Sequence, residues 1–308
     1  MDIKKKYSGV IVPMVTPFNQ ELKVDLGANE RILDSFLKTK HVSPFLLGTT
    51  GESVSIPDSQ KKLIVQSTVK FINGRLPVYA GISGNCFFES VESAKLYAGI
   101  GVDAVVAHLP FYYPLNNDQM LQYFTKLADI VPVPLMLYNI PVTTKQSIPL
   151  EVIEKLSYHP NIVGIKDSER GIERLDQSLA LWKKRTDFVH VMGAAVQSAH
   201  ALLNGSDGIV PSTGNLTPEL YSRMYEAALA GNSQQVEELQ QRTNVISEVY
   251  QKDRLLSQSI PALKVMMSEF GLCKPYAMPP MQTASDAEMA IIRAQMRAIG
   301  LQADAAIC

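Results

Sequence analysis

At 308 residues, with 46% hydrophobic and 19% charged residues and a formal net charge of −1, the chain has ample apolar material for a large core and no basic excess. Nucleic acid and acidic membrane surfaces are therefore not expected as partners, since both select a basic face. The length fits either two ordinary domains or one large α/β barrel.

The first element, "GVIVPMVTPF" from Gly9, follows Lys4-Lys5-Lys6 and loosely imitates a secretory signal. Pro13 and Pro17 interrupt it, and no small-residue cleavage pattern follows, so a signal is not expected. Further short apolar runs follow in chain order: "SPFLLGTTGE" from Ser43, "PVYAGIS" from Pro77, "DAVVAHLPFYY" from Asp103 and "PLMLYNIP" from Pro134. The last three are "NIVGIKDS" from Asn161, "FVHVMGAA" from Phe188 and "DGIVPSTGN" from Asp207. Their starts are 19 to 34 residues apart, the length of one strand–helix unit, and continuous apolar strands alternating with helices imply a parallel sheet. Eight such units predict a closed (β/α)₈ TIM barrel.

Between the runs lie helical stretches with their own signals. "PDSQKKLIVQSTVKFING" from Pro57 has polar starters, apolar residues at Leu63, Ile64, Val69 and Ile72, and an Asn-Gly stop. "TPELYSRMYEAALAG" is expected to be capped by Thr217, with Pro218 in its first turn and Gly231 past its end. Beyond it only helical patterns follow, so the expected organisation is a barrel over residues 1–232 and a helical C-terminal extension over 233–308. No apolar stretch approaches the roughly 20 residues of a membrane helix. Cys86, Cys273 and Cys308 are odd in number and widely spaced, which fits reduced thiols in a cytoplasmic protein.

Barrel active sites lie at the C-terminal ends of the strands. Here those ends read Thr16-Pro17, Thr49-Thr50-Gly51-Glu52, Tyr112-Tyr113, Tyr138-Asn139, Lys166-Asp167, Ala194 and Ser212-Thr213. The five histidines are scattered and no GxSxG elbow is present, so neither a metal site nor a serine hydrolase is expected. An enclosed lysine loses its proton more readily and attacks carbonyls to form an imine. Lys166 can serve that role, or it can pair with Asp167 or Glu169 and extend its head to solvent, and the residues alone leave both readings open. Tyr138, ending the preceding run, is placed either as a proton shuttle for such an amine or as a satisfied core tyrosine. "GTTGE" offers two hydroxyls and accessible backbone N–H groups suited to a carboxylate.

Taken together, "GTTGE", "YNIP" and "GIKDS", in this order and spacing, resemble the dihydrodipicolinate synthase/N-acetylneuraminate lyase family of class I pyruvate-dependent aldolases. The resemblance spans nearly the whole chain. It implies that Lys166 forms an imine with pyruvate or another 2-oxo acid and that Tyr138 transfers its protons. It further implies that Thr49 and Thr50 hold the carboxylate and that Thr49 links Tyr138 to Tyr112, which in relatives reaches into a neighbouring subunit. Val210 corresponds to the position whose main-chain carbonyl lines the pocket. Relatives are usually tetramers built as dimers of dimers, and neither a cofactor nor a metal is implied.

Several positions depart from the family. Where the synthases place an arginine after YN[IV]P this chain has Thr143, and the seventh run ends in Gly193-Ala194-Ala195 rather than at an aspartate. Lys145 is a second candidate cation, set against a solvated loop lysine, and His108 is a further local difference, read as a satisfied strand-end histidine. "LSYHPNIVGIKDS" and "SIPALKVMMSEFGL" look most like the 4-hydroxy-2-oxoglutarate aldolase branch. The expected activity is a Schiff-base lyase joining or cleaving a 2-oxo acid and an aldehyde. The alternatives are a true 4-hydroxy-tetrahydrodipicolinate synthase, a 2-oxo-3-deoxy sugar acid aldolase or dehydratase, an N-acetylneuraminate lyase, a non-catalytic 2-oxo acid binder, and a pyridoxal-phosphate enzyme using "NGSDGIVPSTGN" for phosphate.

Overall fold

A computed structural model describes residues 6–302, so Lys4, Lys5 and Cys308 lie outside the described residues. Eight strands close into a barrel in chain order: β1 Gly9–Pro13, β2 Val42–Leu46, β3 Tyr79–Gly81, β4 Ala104–His108, β5 Leu135–Asn139, β6 Ile162–Asp167, β7 Val189–Met192 and β8 Gly208–Ile209. Every residue of these strands is buried, which is why they read as unbroken apolar runs rather than as alternating patterns. The strands are shorter than the runs that predicted them. In "DGIVPSTGN" only Gly208–Ile209 is strand, and Ser212–Asn215 turns into a short 3₁₀ helix.

The helices are α1 Leu26–Leu37, α2 Asp58–Ile72, α3 Phe87–Ile100, α4 Asn117–Ile130, α5 Pro141–Thr144, α6 Leu150–Leu156, α7 Ile172–Trp182, α8 Ser198–Leu203 and α9 Pro218–Leu229. After β8 and α9 come α10 Ser233–Gln251, α11 Leu256–Glu269 and α12 Asp286–Ala298, as the helical periodicity predicts. The chain divides into two compact units. One holds the described residues up to Ile11 with Pro77–Pro211, and the other holds Val12–Leu76 with the described residues from Ser212 onward.

The buried face of α2 is Ile64, Val65, Thr68 and Ile72, with Leu63 and Val69 half-buried beside it. One local expectation is corrected. Thr217 does occupy the N-cap of α9, but its side chain makes no capping bond, and its Oγ1 instead donates back to the Thr213 carbonyl at 3.3 Å. The predicted stops hold: Asn73 is left-handed at the end of α2, and Gly231 follows α9 at φ +73°.

Strand register carries the most information at β5 and β6. Leu135 pairs with Ile162 while Met136 pairs with Gly164, so Val163 is an extra residue on β6. Such a bulge re-aims every side chain that follows it. Without it Tyr138 would face Ile165, and with it Tyr138 lies opposite Lys166. Gly164 is required just past the bulge, because a Cβ there would sit 2.3 Å from Cγ2 of Val189 and 2.5 Å from its carbonyl oxygen.

On the other side of β7, His190 stacks on Trp182 of α7 at 6.3 Å and bonds Ser206 Oγ through Nδ1 at 3.0 Å, while its buried Nε2 has no partner among the described residues. Burial, reinforced by Arg174, pushes its pKa from 6.5 to about 3. An unfolded chain takes up this proton below about pH 6.5 and the folded one does not, so stability falls as pH drops from about 6.5 towards 3. The loss amounts to about 4 kcal/mol over that window. Urea titrations at pH 7 and pH 4 should register it, and His190→Leu should flatten the difference.

Candidate active site

Strands β4, β5 and β6 bring three polar side chains into one row. His108 pairs in register with Tyr138, and Tyr138 with Lys166, so all three point to the same side of the sheet. Lys166 is only 4% exposed, and its Nζ sits 3.8 Å from the centroid of the Tyr138 ring. Burial pulls the ammonium pKa down from its ordinary value of 10.5, with the contact and hydrogen bond to Tyr138 opposing that shift in part. Desolvation therefore favours a neutral, nucleophilic amine.

The reading of Lys166 as a surface-reaching partner of Asp167 or Glu169 does not hold. Successive residues of a strand face opposite sides, so Asp167 points away from the row that Lys166 occupies. Its carboxylate accepts from Arg174 Nε at 2.9 Å and from Asn139 Nδ2 at 2.9 Å. Glu169 accepts from the same Asn139 amide at 2.9 Å and from Ser147 Oγ, and lies 3.3 Å from Arg174. Burial raises the pKa of Asp167, against the pull of Arg174. The second letters of "YN" and "KD" thus bond to each other behind the sheet and lock β5 to β6, which holds the first letters together in front. Sequence reasoning missed this lattice, although strand alternation contained the signal.

The remaining candidates of this unit are placed as follows. Thr143 lies in α5, half-buried, with Oγ1 donating to the Ile140 carbonyl at 3.2 Å. Lys145 is exposed and left-handed, and its ammonium donates to the Val142 carbonyl at 3.0 Å, so it does not join the buried row. Val210 is buried just past β8 and donates its N–H to the Met192 carbonyl at 2.7 Å. Tyr112 is 74% exposed, edge-on to Tyr113 at 5.0 Å, and stands outside the buried row. Ala194 is buried and brings no polar group.

In the other unit, Thr49 and Thr50 are half-buried in the turn after β2. That turn is fixed at its end. Glu52 adopts a left-handed backbone at φ 58°, Thr16 Oγ1 donates to the Gly51 carbonyl at 2.7 Å, and the Glu52 side chain is fully buried. Its carboxylate accepts from the fully buried Lys264 of α11 and from the Met278 N–H at 2.7 Å. Lys264 also donates to the Tyr276 carbonyl at 2.9 Å and sits 4.2 Å from the Phe18 ring centroid. Nothing in the sequence linked these two residues, which are 212 positions apart.

Among the described residues, no group of three His, Cys, Asp or Glu is placed to hold a metal, no helix is long and apolar enough to cross a membrane, and Cys86 and Cys273 are free.

A closed parallel barrel with a buried lysine at the end of one strand and a phenol from the adjacent strand against it is the framework of a class I, lysine-imine lyase. The sequence profile of the dihydrodipicolinate synthetase family matches residues 6–299, and the chain belongs to that family of class I pyruvate-dependent aldolases. It is 31% identical over 236 residues to a 4-hydroxy-tetrahydrodipicolinate synthase from Pseudoalteromonas atlantica, covering 77% of this chain and 80% of that one. A protein of the same name from Acidiphilium cryptum is 29% identical over 298 residues, covering 96% and 100%. The solved dihydrodipicolinate synthase of Bacteroides thetaiotaomicron superposes with a TM-score of 0.89 at 30% identity, covering 94% and 98%.

Proposed function

We propose that this enzyme cleaves a 4-hydroxy-2-oxo acid to pyruvate and an aldehyde, in the manner of 4-hydroxy-2-oxoglutarate aldolases, and runs the condensation in reverse. The observation that carries the reading is Lys166, buried and in contact with Tyr138, combined with the absence of the arginine that the synthases would place at Thr143. The neutral amine of Lys166 attacks the 2-oxo carbon. Tyr138 passes the protons that carbinolamine formation and loss of water require. The imine withdraws electrons, so the bond between C3 and C4 breaks to give an enamine of pyruvate and the free aldehyde. Thr49 and Thr50 are assigned to the carboxylate of the 2-oxo acid, Val210 to the pocket lining through its carbonyl, and Tyr112 to the proton path of a neighbouring subunit. The exposed Tyr112 and Tyr113 fit a face covered by a second copy, and a homotetramer built as a dimer of dimers is the assembly proposed. The barrel over residues 1–232 would carry the chemistry, with the helices of 233–308 as its support.

A second reading, 4-hydroxy-tetrahydrodipicolinate synthesis from pyruvate and aspartate semialdehyde, is favoured by the names of the relatives at about 30% identity. Steady-state assays of the two reactions decide between them. Cleavage of 4-hydroxy-2-oxoglutarate should exceed condensation with aspartate semialdehyde in kcat/KM by at least about tenfold, or roughly 1.4 kcal/mol. The opposite order would assign the synthase activity and make Thr143 an adequate substitute for arginine.

A further inference from the structure

His108 is the buried titratable group next to the reactive row that neither imine formation nor the carboxylate contacts use. It is 9% exposed, and its position is over-determined. Its backbone N–H donates to Ser83 Oγ at 2.8 Å, and its ring stands edge-on to Tyr138 at 6.0 Å and tilted against Phe111 at 6.4 Å. Nδ1 lies 2.7 Å from the Leu109 carbonyl oxygen. A carbonyl oxygen can only accept, so Nδ1 carries the ring hydrogen and Nε2 presents a lone pair. Among the described residues no donor is recorded for that lone pair. Burial lowers the pKa of the imidazole, against the bond to the Leu109 carbonyl, and Lys166 adds a smaller lowering. Within the described protein only Nδ1 is bonded, so Nε2 is available to solvent or to a ligand.

We propose that His108 is the base of the carbon–carbon step: its Nε2 takes the C4 hydroxyl proton of the imine that Lys166 forms with a 4-hydroxy-2-oxo acid. This rests on the Lys166 imine proposed above. As the O–H proton moves to Nε2, the O–H electrons form the aldehyde C=O, the C3–C4 pair becomes the C2=C3 enamine bond, and the iminium nitrogen is neutralised. After the aldehyde leaves, the imidazolium returns the same proton to C3 and regenerates the pyruvate imine. O4 and C3 are both bonded to C4, so one fixed imidazole can serve both atoms. Tyr138 is then left to the imine steps alone, with the two proton tasks divided between adjacent strands.

The test separates the two steps. Wild-type protein and His108→Asn are incubated with pyruvate in D2O, and loss of the methyl proton signal is followed by NMR. The pyruvate imine is trapped in parallel with borohydride and weighed. His108→Asn should form the trapped adduct at the wild-type level while methyl exchange and 4-hydroxy-2-oxoglutarate cleavage both fall about 100-fold or more. His108→Ala should lose exchange likewise and recover part of it on addition of free imidazole. Exchange at the wild-type rate in His108→Asn overturns the proposal. So does loss of the adduct together with exchange in both variants, since His108 would then be supporting the site rather than moving this proton. If wild-type protein forms no adduct at all, the imine reading itself fails, and His108 fails with it.

Discussion

Lys264→Met should destabilise the protein by about 3–5 kcal/mol, measured as a shift of the urea midpoint at unchanged slope. Lys264 and Glu52 are both fully buried and are taken out of water together. Burial lowers the pKa of Lys264 and Glu52 raises it in return, so each charge is tolerated only because of the other. Removing the ammonium leaves the Glu52 carboxylate, among the described residues, with the Met278 N–H as its donor. Removing both charges is a different matter, because a buried ion pair and an apolar pair of equal volume are often close in energy. The double variant Lys264→Met with Glu52→Gln should therefore recover much of the loss. The turn that ends at Glu52 also carries Thr49 and Thr50, so under their proposed assignment to the pyruvate carboxylate the single variant should raise the KM for pyruvate in the fraction that remains folded. An effect under 1 kcal/mol would mean that water already reaches the pair.

Tyr138→Phe should slow formation of the trapped pyruvate adduct by about 10²- to 10⁴-fold, the usual contribution of a positioned acid–base group. The ring contact with Lys166 survives this change, but the hydroxyl that would carry the protons does not. A change in pH dependence accompanies the change in rate. In wild-type protein amine attack should rise with pH as Lys166 loses its proton, with the rise lying below the 10.5 of an ordinary lysine because burial dominates its environment. Tyr138 opposes that depression. Deleting the hydroxyl leaves burial less opposed, so the rising limb of the variant should move to lower pH even as its plateau falls. A slower variant with an unmoved limb would place the phenol in proton transfer without coupling to the amine.

The eight strands and the helices that follow them were legible because burial on both faces leaves a plain mark, an apolar run of strand length between turn residues. Lys166 and Tyr138 stand out because each ends such a run with a group that an apolar environment tolerates poorly, but the residues alone leave their roles open and only the family resemblance implies them. The bulge at Val163 was not legible, since no residue type marks an extra residue in a buried parallel strand, and yet it decides that Lys166 meets Tyr138 rather than Asn139. The bond between Asn139 and Asp167 carries no mark of its own in the sequence, although period-two alternation sends both residues to the face opposite Tyr138 and Lys166. Glu52 and Lys264 lie too far apart in the chain for local pattern to join them. The unused hydroxyl at the α9 cap reflects tertiary override of a local preference: Thr217 is fully buried, and its Oγ1 goes to Thr213 instead.

If Lys166 acts through an imine, pyruvate must become covalently attached to it on reduction. Purified protein is incubated with pyruvate, reduced with borohydride, digested and mapped by peptide mass. One reduced pyruvate adduct per chain is expected, on Lys166, and none in Lys166→Met under the same conditions. The absence of any adduct, or an adduct confined to an exposed lysine such as Lys145, would contradict an imine at Lys166.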